Sequence, residues 1–290
     1  MSNPLSCLKT QKNIGTSSCK KLPQLIKGMI TTSADFSIAE EDVNTLANWQ
    51  DGIFATDKRN RIFYWPVAVN LENLNEESVY EETPLSTMNV RDGRYRFRAS
   101  FQENLELHKS MFTHKNFQGR IFLIDIENKV VGTTREDGSF AGFTLDLLNP
   151  EKMTFNDGSI VSKSMVYISL QDNLELDKFG RQIEGGFLRG LQRLTDASLT
   201  IVGTPSSTEI VVKVTNALDN EPVLGLTDGD FVLTDGAGTA QTISSVVEST
   251  LVEGQYTLSG TALVSGILDL ASPDTISVKG FEGIAIEITI

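Results

Sequence analysis

The chain has 290 residues, a formal net charge of −13 and two cysteines, Cys7 and Cys19. That length suggests about two domains, each able to hold its own core, and two cysteines near one end exclude a disulfide framework. No apolar run approaches the roughly 20 residues that span a bilayer, and Met1-Ser-Asn-Pro opens no basic-then-apolar leader, so synthesis without export and no membrane partner are expected.

The acidity is unevenly shared. From Ser198 onward the only bases are Lys213 and Lys279, set against twelve acids, and Arg, His, Cys and Trp are absent. Two stretches of such different composition read as separate domains. The division expected is an N-terminal arm over residues 1–36, a β domain over 37–185, a linker over 186–197 and a second β domain over 198–290.

Residues 1–36 read as an irregular arm with only Leu25 to Thr31 apolar enough to dock, an arm that is either disordered or fixed by a neighbour. Ser37 and Glu40 have capping-box spacing and predict a short helix carrying Val43, Leu46, Ala47 and Trp49. Gly52 to Asp57 and Arg61 to Val69 predict a hairpin turning at Lys58-Arg59-Asn60, with Pro66 at an edge or bulge. Between Asn70 and Asp92 periodicity is lost and Glu72, Glu76, Glu77, Glu81 and Glu82 gather around Tyr80 and Pro84. A loop or loosely paired arm of this length is uncommon in a compact domain unless it acts outside that domain.

Arg94 to Ala99 alternates charged and apolar residues, the period of a strand wet on one face. Ser100 and Glu103 again have capping-box spacing, and Phe101, Leu105, His108 and Phe112 recur as one face of a helix. Ile121 to Ile126, Lys129 to Thr133 and Phe140 to Leu148 read as strands parted by Asn128 and by Asp137-Gly138. Val161 to Leu170 is a further strand. Beyond the linker, Leu199 to Gly203, Glu209 to Thr215, Asp230 to Thr234, Thr242 to Val247, Gln255 to Ser259, Thr275 to Lys279 and Gly283 to Ile290 suggest about seven strands of a sandwich. Ile210, Val212 and Val214, and then Ile284, Ile286 and Ile288, are each expected to form an inward face.

Chemical motifs are sparse. His108 and His114 are the only histidines, and with two cysteines at no ligand spacing they make a poor zinc set. No nucleophile elbow, zincin or P-loop spacing occurs, and Gly185 to Gly190 lacks the strand and spacing of a dinucleotide loop. Asp228-Gly229-Asp230 is a weak calcium candidate. No cofactor, metal or catalytic residue is expected. Arg94, Arg96 and Arg98 form a basic row, yet so acidic a chain lacks the broad positive surface that phosphate backbones require. Carboxylates are the expected partners: the row is assigned to an assembly seam with Glu76, Glu77, Glu81 and Glu82 as counter-charges from the same or an adjoining subunit.

Two stretches carry resemblances. Asn220 to Leu226, Asp230-Phe231-Val232 and Gly254 to Leu258 resemble bacterial immunoglobulin-like domains, over about 90 residues. Lys27 to Thr32 with Ala34-Asp35-Phe36, Arg61-Ile62-Phe63, Glu81 to Pro84, Asp92 to Phe97 and Leu105 to His108 resemble structural proteins of tailed phages and prophages of Bacteroidetes hosts, most of all the major tail or tail tube proteins, over roughly residues 14–178. The resemblance implies a mainly β fold, with a tail-tube-like sandwich or barrel and flanking helix followed by an immunoglobulin-like sandwich. It further implies a non-enzymatic virion protein, assembled in the host cytoplasm, whose hexameric rings stack into a tail tube. Partners would be further copies, other tail proteins and DNA in transit through the lumen, with the C-terminal domain facing outward. A capsid decoration or head–tail connector protein, or a carbohydrate-binding or adhesion protein, are the alternatives.

Overall fold

A computed structural model of the protein describes residues 22–57, 60–276, 278 and 280–290. Cys7 and Cys19 therefore lie outside the described residues, as do Lys58 and Arg59 of the expected turn. The fold is mainly β. Contacts divide it into two compact units, one reaching to Leu191 without Ile53–Thr56, the other made of Ile53–Thr56 and Gln192–Ile290.

Among the described residues the first unit holds twelve strands and three helices: β1 (Ile26–Thr32), α1 (Leu46–Phe54), β2 (Ile62–Tyr64), β3 (Asn70–Asn73), β4 (Val79–Thr83), β5 (Ser86–Arg91), β6 (Arg96–Phe101), α2 (Leu105–Thr113), β7 (Arg120–Asp125), β8 (Lys129–Thr134), β9 (Phe140–Ala141), β10 (Phe143–Pro150), β11 (Ser164–Leu170), α3 (Asn173–Asp177) and β12 (Gly180–Glu184). Ten of the strands form one sheet, ordered β12-β8-β7-β10-β11-β6-β3 with β1, β2 and β9 attached, and β4 and β5 form a two-stranded sheet of their own among the described residues. The sheet curls into a half-barrel. β7 pairs with β1 along its length, with β8 at Leu123 and Ile124, and with β10 at Arg120 and Ile121. Gly142 allows the chain to pass from β9 to β10, because a Cβ there would lie 2.8 Å from the backbone of Ile121.

Residues expected to be an irregular arm thus form β1, a fully engaged strand with Met29 to Thr32 buried. Its ladder partner β7 lies about ninety residues on, and the long-range pairing overrides an unpromising local composition. β1, not residues 52–57, is the partner of Ile62–Tyr64, and Gly52 to Phe54 close α1 instead. Neither expected capping box starts a helix. Ile38 forms a bridge with Phe140, and α1 begins only at Leu46. Ser100 is in the β6 ladder, opposite Met165, while Asn104 caps α2 by accepting from the Leu107 N–H at 2.8 Å. Phe101 belongs to β6, and Met111 is the side chain of α2 that is buried; Leu105 and Phe112 face water.

The core of this sheet gathers Trp65, Phe101, Met111, Phe143, Leu145 and Val166, each fully buried large side chain contributing about 1.5–3 kcal/mol. Tyr95 and Phe97 pack against it from the face opposite the arginines. Trp49 of α1 is fully buried beside Phe122 and Phe187, with centroids 5.2 and 5.3 Å away.

The second unit is a sandwich of β13 (Thr195–Ile201), β14 (Glu209–Asn216), β15 (Phe231–Asp235), β16 (Ala240–Gln241), β17 (Ile243–Glu248), β18 (Gln255–Gly260), β19 (Gly266–Leu270), β20 (Phe281–Ile284) and β21 (Ile286–Ile288). Sheets β17-β18-β14-β13-β20 and β16-β15-β19-β21 share one core, with Val212, Val214 and Tyr256 from the first against Leu233, Leu268 and Ile288 from the second. Gly186–Gly190 is a 3₁₀ turn and β13 starts at Thr195, so much of the expected linker is ordered structure. β19 lies where no strand was expected, and Thr275 and Ile276 are not strand. Ile284 belongs to the other sheet from Ile286 and Ile288 and is exposed, because the chain changes sheets between β20 and β21.

Candidate assembly surface

The arginine row is an intramolecular fastening. Arg94 reaches Asp146 of β10 at 2.8 Å, Arg96 reaches Glu76 at 2.5 Å, and Arg98 donates to both oxygens of Glu151, at 2.9 and 3.4 Å, and to Glu72 at 3.2 Å. Of the four expected counter-charges only Glu76 meets the row. Glu77, Glu81 and Glu82 are exposed and engage no base among the described residues. Asp146, Glu72 and Glu151 take their place, because strand pairing sets β3 beside β6 and β10 one strand further on. Fork-like charge-assisted bonds hold the Arg98 guanidinium firmly in its cationic form, Glu151 chief among them. Arg94 itself precedes β6 instead of lying in it.

These ion pairs stand at the roots of two projecting segments. The first is the β4–β5 hairpin. Every residue of β5 is exposed, as are Val79 to Glu82 of β4, so neither face of this two-strand ribbon has a core against it. Pairing of Glu81 with Met88 puts Val79, Glu81 and Met88 on one face and Tyr80, Glu82 and Asn89 on the other. Leu85 at the turn is 97% exposed. A free hairpin is marginal in water, and this one is fixed at its base. Leu74 and Glu76 donate backbone bonds to Arg96 and Arg94, Asn75 Oδ1 accepts from the Arg96 N–H at 3.0 Å, and a Cβ at Gly93 would come within 1.9 Å of the Glu76 carbonyl.

The second projection is residues 151–163, between β10 and β11. Sequence reading expects strand from Val161, yet β11 begins at Ser164 and Val161 is exposed with Ile160 and Phe155. The segment is nonetheless tightly built. Thr154 bridges Lys163, Asp157 Oδ1 accepts from the N–H groups of Ser159 and Ile160, both at 2.9 Å, and Gly158 takes φ 91°, a conformation glycine adopts without strain. Those bonds, led by the Ser159 hydroxyl, hold the Asp157 carboxyl below the usual carboxylate range.

Other sequence candidates resolve into structural roles. His108 Nδ1 lies 2.9 Å from Ser164 Oγ, whereas His114 is enclosed by the rings of Phe63, Trp65 and Phe117 at 4.7, 5.3 and 5.9 Å. Burial lowers the His114 pKa from its ordinary value. The Asp228-Gly229-Asp230 calcium reading is overturned: Asp230 is buried and accepts from the N–H and hydroxyl of Thr227 at 2.7 and 3.0 Å, closing a capping box. Among the described residues no cluster of His, Cys, Asp and Glu is arranged to hold a metal, and no helix is long and apolar enough to cross a membrane.

Sequence reasoning missed Asp146, Glu72 and Glu151 as counter-charges, and missed Phe155 and Ile160 altogether. The first group is brought in by strand pairing, which leaves no local trace. The second had a signal, apolar residues set among turn-forming Asn156-Asp157-Gly158. No protein-family model and no curated protein sequence matches this chain.

Proposed function

We propose that the chain is a structural virion protein of a tailed phage or prophage, polymerising as stacked, hexameric rings into the tail tube, with the C-terminal sandwich displayed on the outer surface. The observation that carries this reading is the β4–β5 arm, a ribbon with a fixed root, exposed apolar side chains and no core packed against it. A monomer has no use for such an arm, since a bare two-strand ribbon exposes apolar side chains and strand edges that invite association. A repeated subunit that offers an arm on one side forms heterologous contacts, which close into rings about one axis and stay open along another. The sequence resemblance over roughly residues 14–178 supplies the tail assignment. A curled sheet with a row of engaged arginines on its wet face also suits a wall beside a water-filled lumen through which DNA passes.

Negative-stain electron microscopy of the purified chain at rising concentration tests the reading. Rings about one axis, stacking into hollow tubes, are expected. Isolated trimers or compact knobs would favour a decoration protein, and persistent monomers would remove the polymer altogether.

A further inference from the structure

The two projections stand at opposite ends of the same strands. The arm leaves β3 after Asn73 and re-enters at Arg96, and Arg96 lies opposite Ser169. Residues 151–163 leave β10 at Pro150 and re-enter β11 at Ser164, which lies opposite Phe101. Arg96 and Phe101 are five residue steps apart on β6, about 17 Å at strand rise. Each end thus presents exposed apolar groups: Val79, Leu85, Met88 and Val90 on the arm, Phe155 and Ile160 on the loop.

Their charges are opposite. Between Ser78 and Val90 the arm carries Glu81 and Glu82 and no base. The loop is bracketed by Lys152 and Lys163, neither in an ion pair among the described residues. Its two carboxylates are both engaged, Glu151 by Arg98 and Asp157 by the turn it closes.

We propose that the arm of one copy docks on residues 151–163 of the next copy, Val79 and Met88 to Phe155 and Ile160 and Glu81, on the same face, to Lys152 and Lys163. This deepens the polymer reading and rests on it by naming the receiving surface. A contact between opposite ends of one sheet cannot be satisfied within a pair, so it propagates along the strand direction as an open stack. Both surfaces are preorganised, the loop by its Asp157 turn and the arm by its root, so little ordering entropy opposes docking. The carboxylate–lysine pairs fix which end meets which.

Disulfide trapping between copies tests the contact. In a Cys7→Ser, Cys19→Ser background, one preparation carries Leu85→Cys and another Phe155→Cys. Mixed and oxidised under assembling conditions, they should give a crosslinked heterodimer that neither forms alone. Particles that assemble without this crosslink overturn the docking and leave the tube standing; a crosslink inside particles that are not tubes upholds the docking and removes the tube. A chain that stays monomeric overturns both. Independently, Lys152→Glu with Lys163→Glu should raise the concentration needed for assembly about tenfold, and Glu81→Lys in the same chain should restore it. A charge reversal with no effect, or with no rescue, contradicts the assigned register.

Discussion

Arg96 grips Glu76 at 2.5 Å across the base of the β4–β5 arm, and the backbone of the same two segments is bonded on either side of that pair. Both side chains are about three-quarters or two-thirds covered, at 24% and 31% exposure, so the pair contributes only about 0.5–1 kcal/mol. Its importance is positional. Arg96→Gln should leave the sheet folded but speed amide exchange over residues 78–91. Gly93→Ala should do so more strongly, because its Cβ collides with the Glu76 carbonyl. Unchanged exchange in both variants would show that the root does not hold the arm.

Arg98 bonds Glu151 and Glu72, joining the root of the 151–163 loop to β3. Arg98→Gln should cost about 1 kcal/mol in urea unfolding, less in high salt than in low salt as the exposed part of the pair is screened. Arg94→Gln, whose partner Asp146 is more open to solvent, should cost less. An Arg98 variant as stable as the parent at low salt would remove the fastening role.

How far the fold could be read depended on where each residue found its partner. β7 and β8 were legible because Ile121 to Asp125 and Lys129 to Thr134 are β-rich runs joined through Asn128, which takes φ 62°. β1 was not, since nothing near Ile26 announces that its ladder partner begins at Arg120. Ser100 had the spacing of a helix cap, but its backbone is held in a β-ladder, and local side-chain bonding lost to sheet pairing. The arm was visible only as lost periodicity, though Met88-Asn89-Val90 alternates as a strand should. The nearest acidic run supplies Glu72 and Glu76 as counter-charges for the arginines, whereas Asp146 and Glu151 come from positions that sheet order alone brings close.

His114 makes stability depend on pH. Its enclosure by Phe63, Trp65 and Phe117 depresses its pKa below the unfolded value of about 6.5, so the unfolded chain takes the proton first. The stabilisation from neutral His114 is complete above about pH 6.5, falls as pH drops towards its folded pKa, and levels off below that. Urea unfolding of the parent and of His114→Phe between pH 7.5 and 5 should show a steeper loss in the parent. Parallel profiles would mean that the imidazole is as easily charged folded as unfolded.

The second unit should fold alone when its first strand is kept whole. Thr195 to Ser198 pair with Phe281 to Ile284, and Ala197 is fully buried. A fragment from Gln192 should therefore give a cooperative transition and a dispersed proton NMR spectrum, and one from Ser198 should be less stable. Within it the Tyr256 hydroxyl donates to the Val223 carbonyl at 2.7 Å, and burial pushes its pKa up to about 12. Tyr256→Phe should cost about 1–2 kcal/mol by leaving that carbonyl unpaired. Equal stability of the two fragments would show that the Thr195 edge contributes nothing.

Removal of the arm tests self-assembly most directly. Replacing Ser78 to Arg91 by a short Gly-Ser turn keeps the Leu74 and Asn75 bonds to Arg96 and every buried side chain of the sheet. Sedimentation velocity and electron microscopy of parent and variant at matched concentration give the comparison. The parent should form large particles resolving into stacked rings, while the variant remains a folded monomer or a single unstacked ring. Stacked tubes from the armless chain, or monomers from both, would contradict the account.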